Sequence, residues 1–466
     1  MALRFTNTMS GKKEVFQPLD PPNVGLYTCG PTVYDYAHIG NFRTYIFEDI
    51  LRRYLTYRGY QVFQVMNLTD VEDKIIKAAL AKGITIYEHT PPYIDAFFED
   101  LDALRIQRAE VYPKATDHVP EMVEIIKALR EKGHTYESEG SIYYRISTFA
   151  RYGALSGITP DSVKVGARID QDEYEKEDAR DFVLWKAKKE DEHSWETECG
   201  EGRPGWHIEC SAMSRKYLGD TFDIHCGGED NIFPHHENEI AQSEAATGNP
   251  FVRYWLHSRH LMVDGEKMSK SKGNFFTLRD LIKKGHHPLA IRYFLLSGYY
   301  RVQINLTEQG LHAAYQAWRR LMDFRQRLME IIERGTEFAL SKEAQFLASN
   351  ALQGFEERMD DDLDTPQALA VVFDFVRDSN RYLDTENTSQ ADAQEFLNVL
   401  KRIDTVLGIL EEEQKDLDAE IDALIAQRQE ARKNRDFNTA DAIRDQLAER
   451  GIVLEDTRDG VRWKRG

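Results

Sequence analysis

Residues 28–42 read TCGPTVYDYAHIGNF, from Thr28 to Phe42. The apolar run Val24 to Tyr27 before it has the character of a buried strand. Arg43 to Arg58 after it carries Tyr45, Ile46, Ile50 and Tyr54 at helical spacing. The stretch is therefore a strand-to-helix crossing, with a thiol at its start and His-Ile-Gly-Asn at its end. In an open α/β sheet, ligands bind at such crossings, beside the helix N-terminus. Gly40 leaves room for a flat ligand to approach the backbone. His38 and Asn41, three residues apart, can both face it. Taken alone, HIGN is as readily a glycine-containing turn with a surface histidine, so the rest of the chain must decide.

Working outward, Val62 to Val65 reads as a second strand, and helices follow from about Val71 to Lys82 and from Pro92 to Leu104. This alternation predicts a doubly wound, parallel-sheet (Rossmann-type) α/β domain whose first half is residues 1–135. The texture changes between Tyr136 and Trp195, where Ile142 to Ile146 reads as a strand and Ile169 to Asp181 is densely charged. Residues 136–200 are therefore expected to be an insertion. Sheet character is expected again at Trp206 to Cys210 and Phe222 to His225, in a second half spanning 201–260. Residues 261–305 hold a lysine-rich loop between Arg253–Asp264 and Phe275–Leu278. Residues 306–410 have the long amphipathic pattern of a helical bundle. An acidic linker, Leu410 to Glu420, leads to a small mixed α/β unit at 421–466. That unit should contain helices Ile421–Arg435 and Thr439–Arg450, a stop at Gly451, and a hairpin of Ile452–Glu455 with Val461–Lys464.

The 41% hydrophobic and 30% charged residues are those of a globular protein of several domains. Residues 1–20 lack the apolar core of an export signal, and no apolar run approaches a membrane span, so a cytoplasmic location is expected. In that setting Cys29, Cys199, Cys210 and Cys226 are thiols or metal ligands, not a disulfide framework. The net charge of −19 argues against indiscriminate nucleic-acid binding but leaves room for a local basic patch. Residues 421–466, with ten Lys/Arg against nine Asp/Glu, are about neutral, and the acidity sits in the rest of the chain.

Two further constellations carry chemistry. Pro234-His235-His236-Glu237-Asn238-Glu239 opens a helix running to Ala245, which puts His235 and Glu239 on one face. With Cys29 and Cys210 they form a donor set that suits zinc. His236, Glu237, His207, His225 and Cys226 are rival ligands on sequence grounds. The inverted zinc-protease pattern is absent. Residues 264–274, DGEKMSKSKGN, combine glycines with closely spaced lysines. Ammonium groups used as point charges suit a triphosphate whose charge shifts during reaction.

HIGN early, KMSKS late and an α/β domain between them resemble a class I aminoacyl-tRNA synthetase. Within that class the chain resembles the cysteinyl-tRNA synthetase family, through TCGPTVYDYAHIGN, NLTDVEDKIIK, GRPGWHIECSAM, FDIH, FPHHENEIAQS, MVDGEKMSKSKGNFFT, ARKNRDFNTADAIRD and GIVLED. The resemblance spans essentially the whole chain. It implies a monomeric ligase that activates L-cysteine with ATP and Mg2+, then transfers the cysteinyl group to tRNA-Cys. It implies one Zn2+ per chain, held by Cys29, Cys210, His235 and Glu239, and selection of cysteine over serine by zinc–thiolate bonding. It places Trp206 and Thr69 near the amino acid and His38, Gly40 and Asn41 against ATP. It sends Lys267 and Lys270 to the phosphates and Asp230 to the ribose. It makes 261–305 a stem-contact region and 421–466 an anticodon-binding domain, read through Arg432, Phe437, Asp441 and Asp456. Asn41 stands where the class signature ends in His; it can donate a hydrogen bond but carries no protonic charge. A cysteine ligase with a small amine acceptor would need HIGN, KMSKS and the zinc set, but would have no use for residues 421–466.

Overall fold

The computed structural model describes residues 2–158, 180–189, 192–269, 273–334, 338–384, 389–410, 424–429, 431–433, 436–449, 452–457 and 460–465. Two compact units, Met1–Leu410 and Glu411–Gly466, are present.

At the centre of the first unit is a four-stranded parallel sheet. Its strands run in the order Val252–Ser258, Phe222–Gly228, Asn23–Thr28 and Gln61–Met66. The chain builds outward from Asn23–Thr28 in both directions, which is the doubly wound arrangement expected from the strand-helix alternation. Period two along the strands makes two cores. Val24, Leu26, Ile224 and Leu256 face the helix Ile39–Tyr57 and the C-terminal helices. Tyr27, Val65 and Trp255 face the opposite side, where helices Val119–Glu131, Trp206–Leu218 and Glu237–Thr247 pack.

Trp206–Cys210 corrects the sequence reading. These residues open the helix Trp206–Leu218; they are not a strand. All eight residues from His207 to Ser214 are buried, so no polar face remains to reveal a helical period. Gly205 starts the helix hard against the neighbouring strand, where a Cβ would lie 2.1 Å from the Val183 carbonyl oxygen.

The insertion forms a five-stranded antiparallel sheet that runs from Thr135 to Pro204. Of its charged stretch, residues 169–179 lie outside the described residues. Asp73, on the helix Asp73–Lys82, anchors the sheet to the parallel core. It takes Lys186 Nζ at 2.8 Å and the Arg203 guanidinium, and Arg203 Nε also holds Glu192 at 3.1 Å. Burial opposes the charge on Asp73, but Lys186 and Arg203 outweigh it and hold its carboxyl at about 2.

Helices Glu308–Arg334, Lys342–Asp360, Thr365–Leu383 and Gln390–Leu407 form the expected bundle. The fully buried Arg292 ties it to the sheet domain. Its Nε donates to Leu407 O (2.7 Å), one terminal nitrogen to Leu104 O (2.9 Å) and the other to Asp49 Oδ2 (2.5 Å). Asp49 also accepts from Arg53 Nε and the Gln107 amide, so this buried charge pair is nearly saturated. Among the described residues no helix is long and apolar enough to cross a membrane.

In the second unit, residues 424–429 and 431–433 are helical, within the expected Ile421–Arg435. The next helix is Phe437–Glu449, two residues earlier than expected because Asp436 accepts from both the amide and the hydroxyl of Thr439. Strands Ile452–Thr457 and Gly460–Arg465 form the expected hairpin, and Ile425, Ile443, Leu447 and Ile452 make a small core. The linker, 411–420, lies outside the described residues.

Removing the Arg292 charge leaves buried Asp49 with Arg53 as its one remaining ion-pair partner among the described residues and takes the donor from the Leu104 and Leu407 carbonyls. Arg292→Met should lower stability by about 3–5 kcal/mol in denaturant unfolding, and Asp49→Asn/Arg292→Met by less. The depressed Asp73 carboxyl stabilises the fold above its ordinary value near 3.8, and that contribution disappears as pH falls toward 2. Hydrogen exchange at Phe182–Ala187 should therefore be slower in wild type than in Asp73→Asn at pH 5, with the difference closing near pH 2.

Candidate active site and metal centre

Connections leave the strand Asn23–Thr28 toward opposite faces of the sheet, so a crevice opens at its carboxyl end, between it and Phe222–Gly228. Every predicted catalytic residue that the structure describes in the first unit collects around this crevice or beside it.

One part of it is a cleft lined by Cys29, His38, Gly40, Asn41, Thr44, Tyr45, Gly228, Asp230, Ser258, Arg259, His260, Lys267 and Met268. His38 caps the helix Ile39–Tyr57. Its Nδ1 accepts from the Asn41 amide (3.2 Å), while Asn41 Oδ1 accepts from the His38 amide (3.0 Å). This capping box commits Nδ1 and Oδ1 to the backbone and leaves Asn41's carboxamide NH2 as the donor end of that side chain. Gly40 has a more specific role than open space. A Cβ there would lie 2.5 Å from Met268 Cε and 3.0 Å from the His38 ring, so the glycine lets the lysine-rich segment close onto the helix N-terminus. The two motifs also meet through backbone. The Ile39 amide donates to Phe276 O (2.9 Å), His38 bridges Thr277, and Phe275 lies edge-on to the His38 ring. Lys267 is exposed at the end of Glu266–Lys267. Lys270 lies outside the described residues. Asp230 is at the cleft with its side chain 61% exposed. Arg259 and His260 also line the cleft; nothing in their local sequence singled them out.

Deeper in, the thiols and histidines converge. The ligand atoms of Cys29, Cys210, His235 and Glu239 all lie within 4.8 Å of one another, and so do those of Cys29, His225, His236 and Glu239. Cys29 and Glu239 belong to both sets. Of the rivals, His225 and His236 are thus within reach of a cation, whereas His207, Glu237 and Cys226 belong to neither set. His207 Nδ1 instead faces His235 Nδ1 at 2.9 Å. Glu237 accepts from the amides of Gly153 and Ser156. Cys226 is a buried thiol.

Electrostatics match this geometry. Cys29 donates to Cys210, and that hydrogen bond, the largest influence, holds the Cys210 thiol down at about 6. Donating the bond, together with burial, pushes Cys29 up. Burial opposes charge on Glu239, yet His225 (2.9 Å) and His235 (3.0 Å) hold it down at about 2. His235 is raised to about 10, burial being outweighed by Glu239 and Cys210. Burial drives His236 far down and His257 to about 3, so both are neutral. His236 Nε2 lies 3.3 Å from Cys29 Sγ, and His236 Nδ1 meets His257 Nε2 at 2.8 Å.

These residues fit a metal ion. Ligands about 2.0–2.3 Å from a tetrahedral zinc lie about 3.3–3.8 Å apart, and thiolates, imidazole and carboxylate are its usual donors. Glu239 Oε1, fully buried, accepts no hydrogen bond although His235 Nε2 is 3.0 Å away. A carboxylate oxygen left in that state beside two thiols is the arrangement expected where a cation completes the set.

Trp206 stacks on His235 with centroids 4.2 Å apart. Thr69 is buried, its hydroxyl donating to Glu209 Oε2 at 3.2 Å. Burial first, then the charges of Cys210 and Asp70, push Glu209 well above the usual carboxylate range. Sequence reading missed Glu209; its one signal was a charged residue inside an otherwise buried segment. In the second unit Arg432 and Asp441 are exposed on helices, while the side chains of Phe437 and Asp456 lie outside the described residues.

Comparison with known proteins closes the question of family. A model of the class I (C) tRNA synthetase catalytic domain matches residues 15–316. A DALR domain model matches 354–411, and a cysteinyl-tRNA ligase anticodon binding domain model matches 414–463. The chain is 51% identical to a cysteine–tRNA ligase of Solibacter usitatus over 100% of both chains. It is 48% identical to one of Protochlamydia amoebophila, covering 99% of this chain and 98% of the other. A Leptospira interrogans cysteine–tRNA ligase is 50% identical, with 99% of each covered. In fold it is similar to Mycobacterium tuberculosis methionyl-tRNA synthetase in complex with methionyl-adenylate, at TM-score 0.61 and 16% identity over 83% of this chain and 90% of that one. With a Rossmann-type sheet, its signature loop and its lysine-rich loop joined at one crevice, the chain belongs to the cysteine–tRNA ligase family of class I aminoacyl-tRNA synthetases.

Proposed function

We propose that this ligase activates L-cysteine with ATP and passes the cysteinyl group to tRNA-Cys, and that Cys29, Cys210, His235 and Glu239 hold a zinc ion that selects cysteine over serine. The observation that carries the proposal is the placement of Cys29. It belongs to the cluster of buried metal donors and also lines the cleft beside His38, Gly40 and Asn41. An amino acid whose sulfur sits at the cluster therefore reaches that cleft with its carboxylate.

When bound, zinc would supply a soft Lewis acid that takes a thiolate in preference to a hydroxyl. Apolar fit alone separates near-isosteres by only about 10–200-fold. Thr69 and Trp206 border the amino-acid side. In the cleft, the N-terminus of Ile39–Tyr57 and Asn41 present donors to the triphosphate, Lys267 and Lys270 add positive charge, and Asp230 takes the ribose. Mg2+ accompanies ATP as its counter-charge. Attack of the cysteine carboxylate on the α-phosphate breaks the bond to pyrophosphate and forms cysteinyl-adenylate. The terminal ribose hydroxyl of the tRNA then displaces AMP. Both steps are governed by position and by the field at developing charge, and no side chain becomes covalently linked.

Arg432, Phe437, Asp441 and Asp456 are assigned to the anticodon, where unpaired bases are read by edge hydrogen bonds and stacking. Support for a tRNA acceptor over a small amine comes from the anticodon-domain match across 414–463.

Metal analysis checks the first half of the proposal. Cys29→Ser, which cuts both donor sets, should retain little zinc; Cys210→Ser, which cuts one, should retain more. Full retention in both would sink the zinc pocket. The second half is tested by Arg432→Ala. Its cysteine-dependent ATP–pyrophosphate exchange should stay within about 2-fold of wild type, while aminoacylation at limiting tRNA falls about 10-fold or more. Equal loss of both would place Arg432 outside anticodon reading.

A further inference from the structure

We infer that Asp362, in the turn between the bundle helices Lys342–Asp360 and Thr365–Leu383, is a positioning residue for the nucleotide cleft. It gathers the hydroxyls of Tyr299 and Tyr300, and so fixes the segment that braces both Arg259 and the helix Ile39–Tyr57. On the reading of that cleft as the ATP site, Asp362 shapes the site without lining it.

Asp362 is fully buried. Its Oδ1 accepts from the Thr6 amide at 2.8 Å and from the Tyr300 hydroxyl at 2.7 Å. Its Oδ2 accepts from the hydroxyls of Thr6 and Tyr299. A carboxylate offers about four lone-pair sites, and four neutral donors occupy them here. A carboxamide has one accepting oxygen and cannot take all four. The second carboxylate oxygen is what lets one side chain hold the N-terminal strand Arg4–Asn7, the tyrosine segment and its own turn together.

The turn is fixed as firmly as the side chain. Asp362 and Leu363 are successive non-glycine residues at φ +71° and +55°. Left-handed backbone at two such neighbours persists only where the surroundings over-determine it. The Asp362 amide donates to Arg4 O at 3.1 Å, and the Thr365 hydroxyl donates to Leu296 O at 2.8 Å, just before the tyrosines.

From the tyrosines the restraint reaches the cleft by two routes. The Tyr300 carbonyl accepts from the Arg259 amide at 2.8 Å, and Arg259 lines the cleft. The Tyr300 ring stacks on Phe47 of the helix Ile39–Tyr57, with centroids 4.2 Å and planes 9° apart. The same helix carries buried Arg43, two residues after Asn41. Its guanidinium takes the carbonyls of Leu295, of Gly298 at 2.9 Å and of Tyr299 at 2.8 Å. At Gly298 a Cβ would lie 2.1 Å from Ile304 Cγ2, so the segment is also close-packed on that side. Arg259 and the helix are thus held by one segment, and Asp362 sets where that segment lies. A displacement of about 1 Å, even from a change far from the chemistry, can cost about 100-fold in rate.

The test is the kinetics of cysteine-dependent ATP–pyrophosphate exchange in full-length wild type, Asp362→Asn, Tyr300→Phe, the double variant and Asp361→Asn. Asn tolerates left-handed backbone, and Phe keeps the stack on Phe47. In each of Asp362→Asn and Tyr300→Phe, KM for ATP should rise about 5- to 10-fold while KM for cysteine stays within about 2-fold. The double variant should stay within about 2-fold of Asp362→Asn, because both changes break one contact. Asp361→Asn, which alters an exposed pair with Lys13, should match wild type. A purely structural role would lower the active fraction, and with it kcat, and leave both KM values in place. That result, equal rises in both KM values, or unchanged kinetics in Tyr300→Phe would overturn the inference. If Asp362→Asn does not fold, Tyr300→Phe decides alone. Wild type without cysteine-dependent exchange would overturn the reading of the cleft as the ATP site, and this inference with it.

Discussion

Strand Asn23–Thr28 grows a parallel sheet on both sides, with Gln61–Met66 on one and Phe222–Gly228 on the other. The helices that connect it to these two neighbours pack on opposite faces, which leaves a crevice between its own carboxyl end and that of Phe222–Gly228. The register then determines what enters it. Cys226 pairs with Thr28 and Gly227 with His257, so Cys29 and the ends of Phe222–Gly228 and Val252–Ser258 arrive at the same level. Helices Trp206–Leu218 and Glu237–Thr247 close one face and bring Cys210 and Glu239. The amino-acid and nucleotide sides of the site are both consequences of this one reversal of strand order.

A pocket so rich in buried ionisable groups is stable only because most of them satisfy one another. Neutral His236 joins Cys29 to His257, and His257 joins Thr8 at 2.8 Å. His225 and His235 flank Glu239, and His207 faces His235. Against that background, Oε1 of Glu239 is one of several buried carboxylate oxygens among the described residues that accept no hydrogen bond. An orphaned buried acceptor destabilises a fold by about 1–3 kcal/mol, more when charged.

The nucleotide side is organised by helix ends. His38 and Asn41 cap Ile39–Tyr57 with a reciprocal box, and Thr277 and Asp280 cap Leu278–Lys283 in the same way. The backbone bridge between His38 and Thr277 joins the two caps. The lysine-bearing segment is thus tethered at the helix N-terminus where anionic ligands are favoured. Lys267, on that segment, is exposed.

Local pattern encodes burial on one face of an element, and wherever an element has one buried face the sequence by itself determined the outcome. The strand before Cys29, the helix after Asn41, the long bundle helices and the C-terminal hairpin were legible for that reason, as were the residue types able to hold a metal and a triphosphate. Elements buried on every side have no such period. Trp206–Cys210 therefore looked like a strand and is a helix. Only the tertiary structure decided that His225 and His236 join Cys29 and Glu239 in a candidate donor set while His207, Glu237 and Cys226 belong to none. It also decided that Gly40 makes room for Met268, and that Nδ1 of His38 is spent on a helix cap. Those outcomes depend on strand order and on backbone contacts between segments far apart in the chain, and no local spacing of residues carries that information.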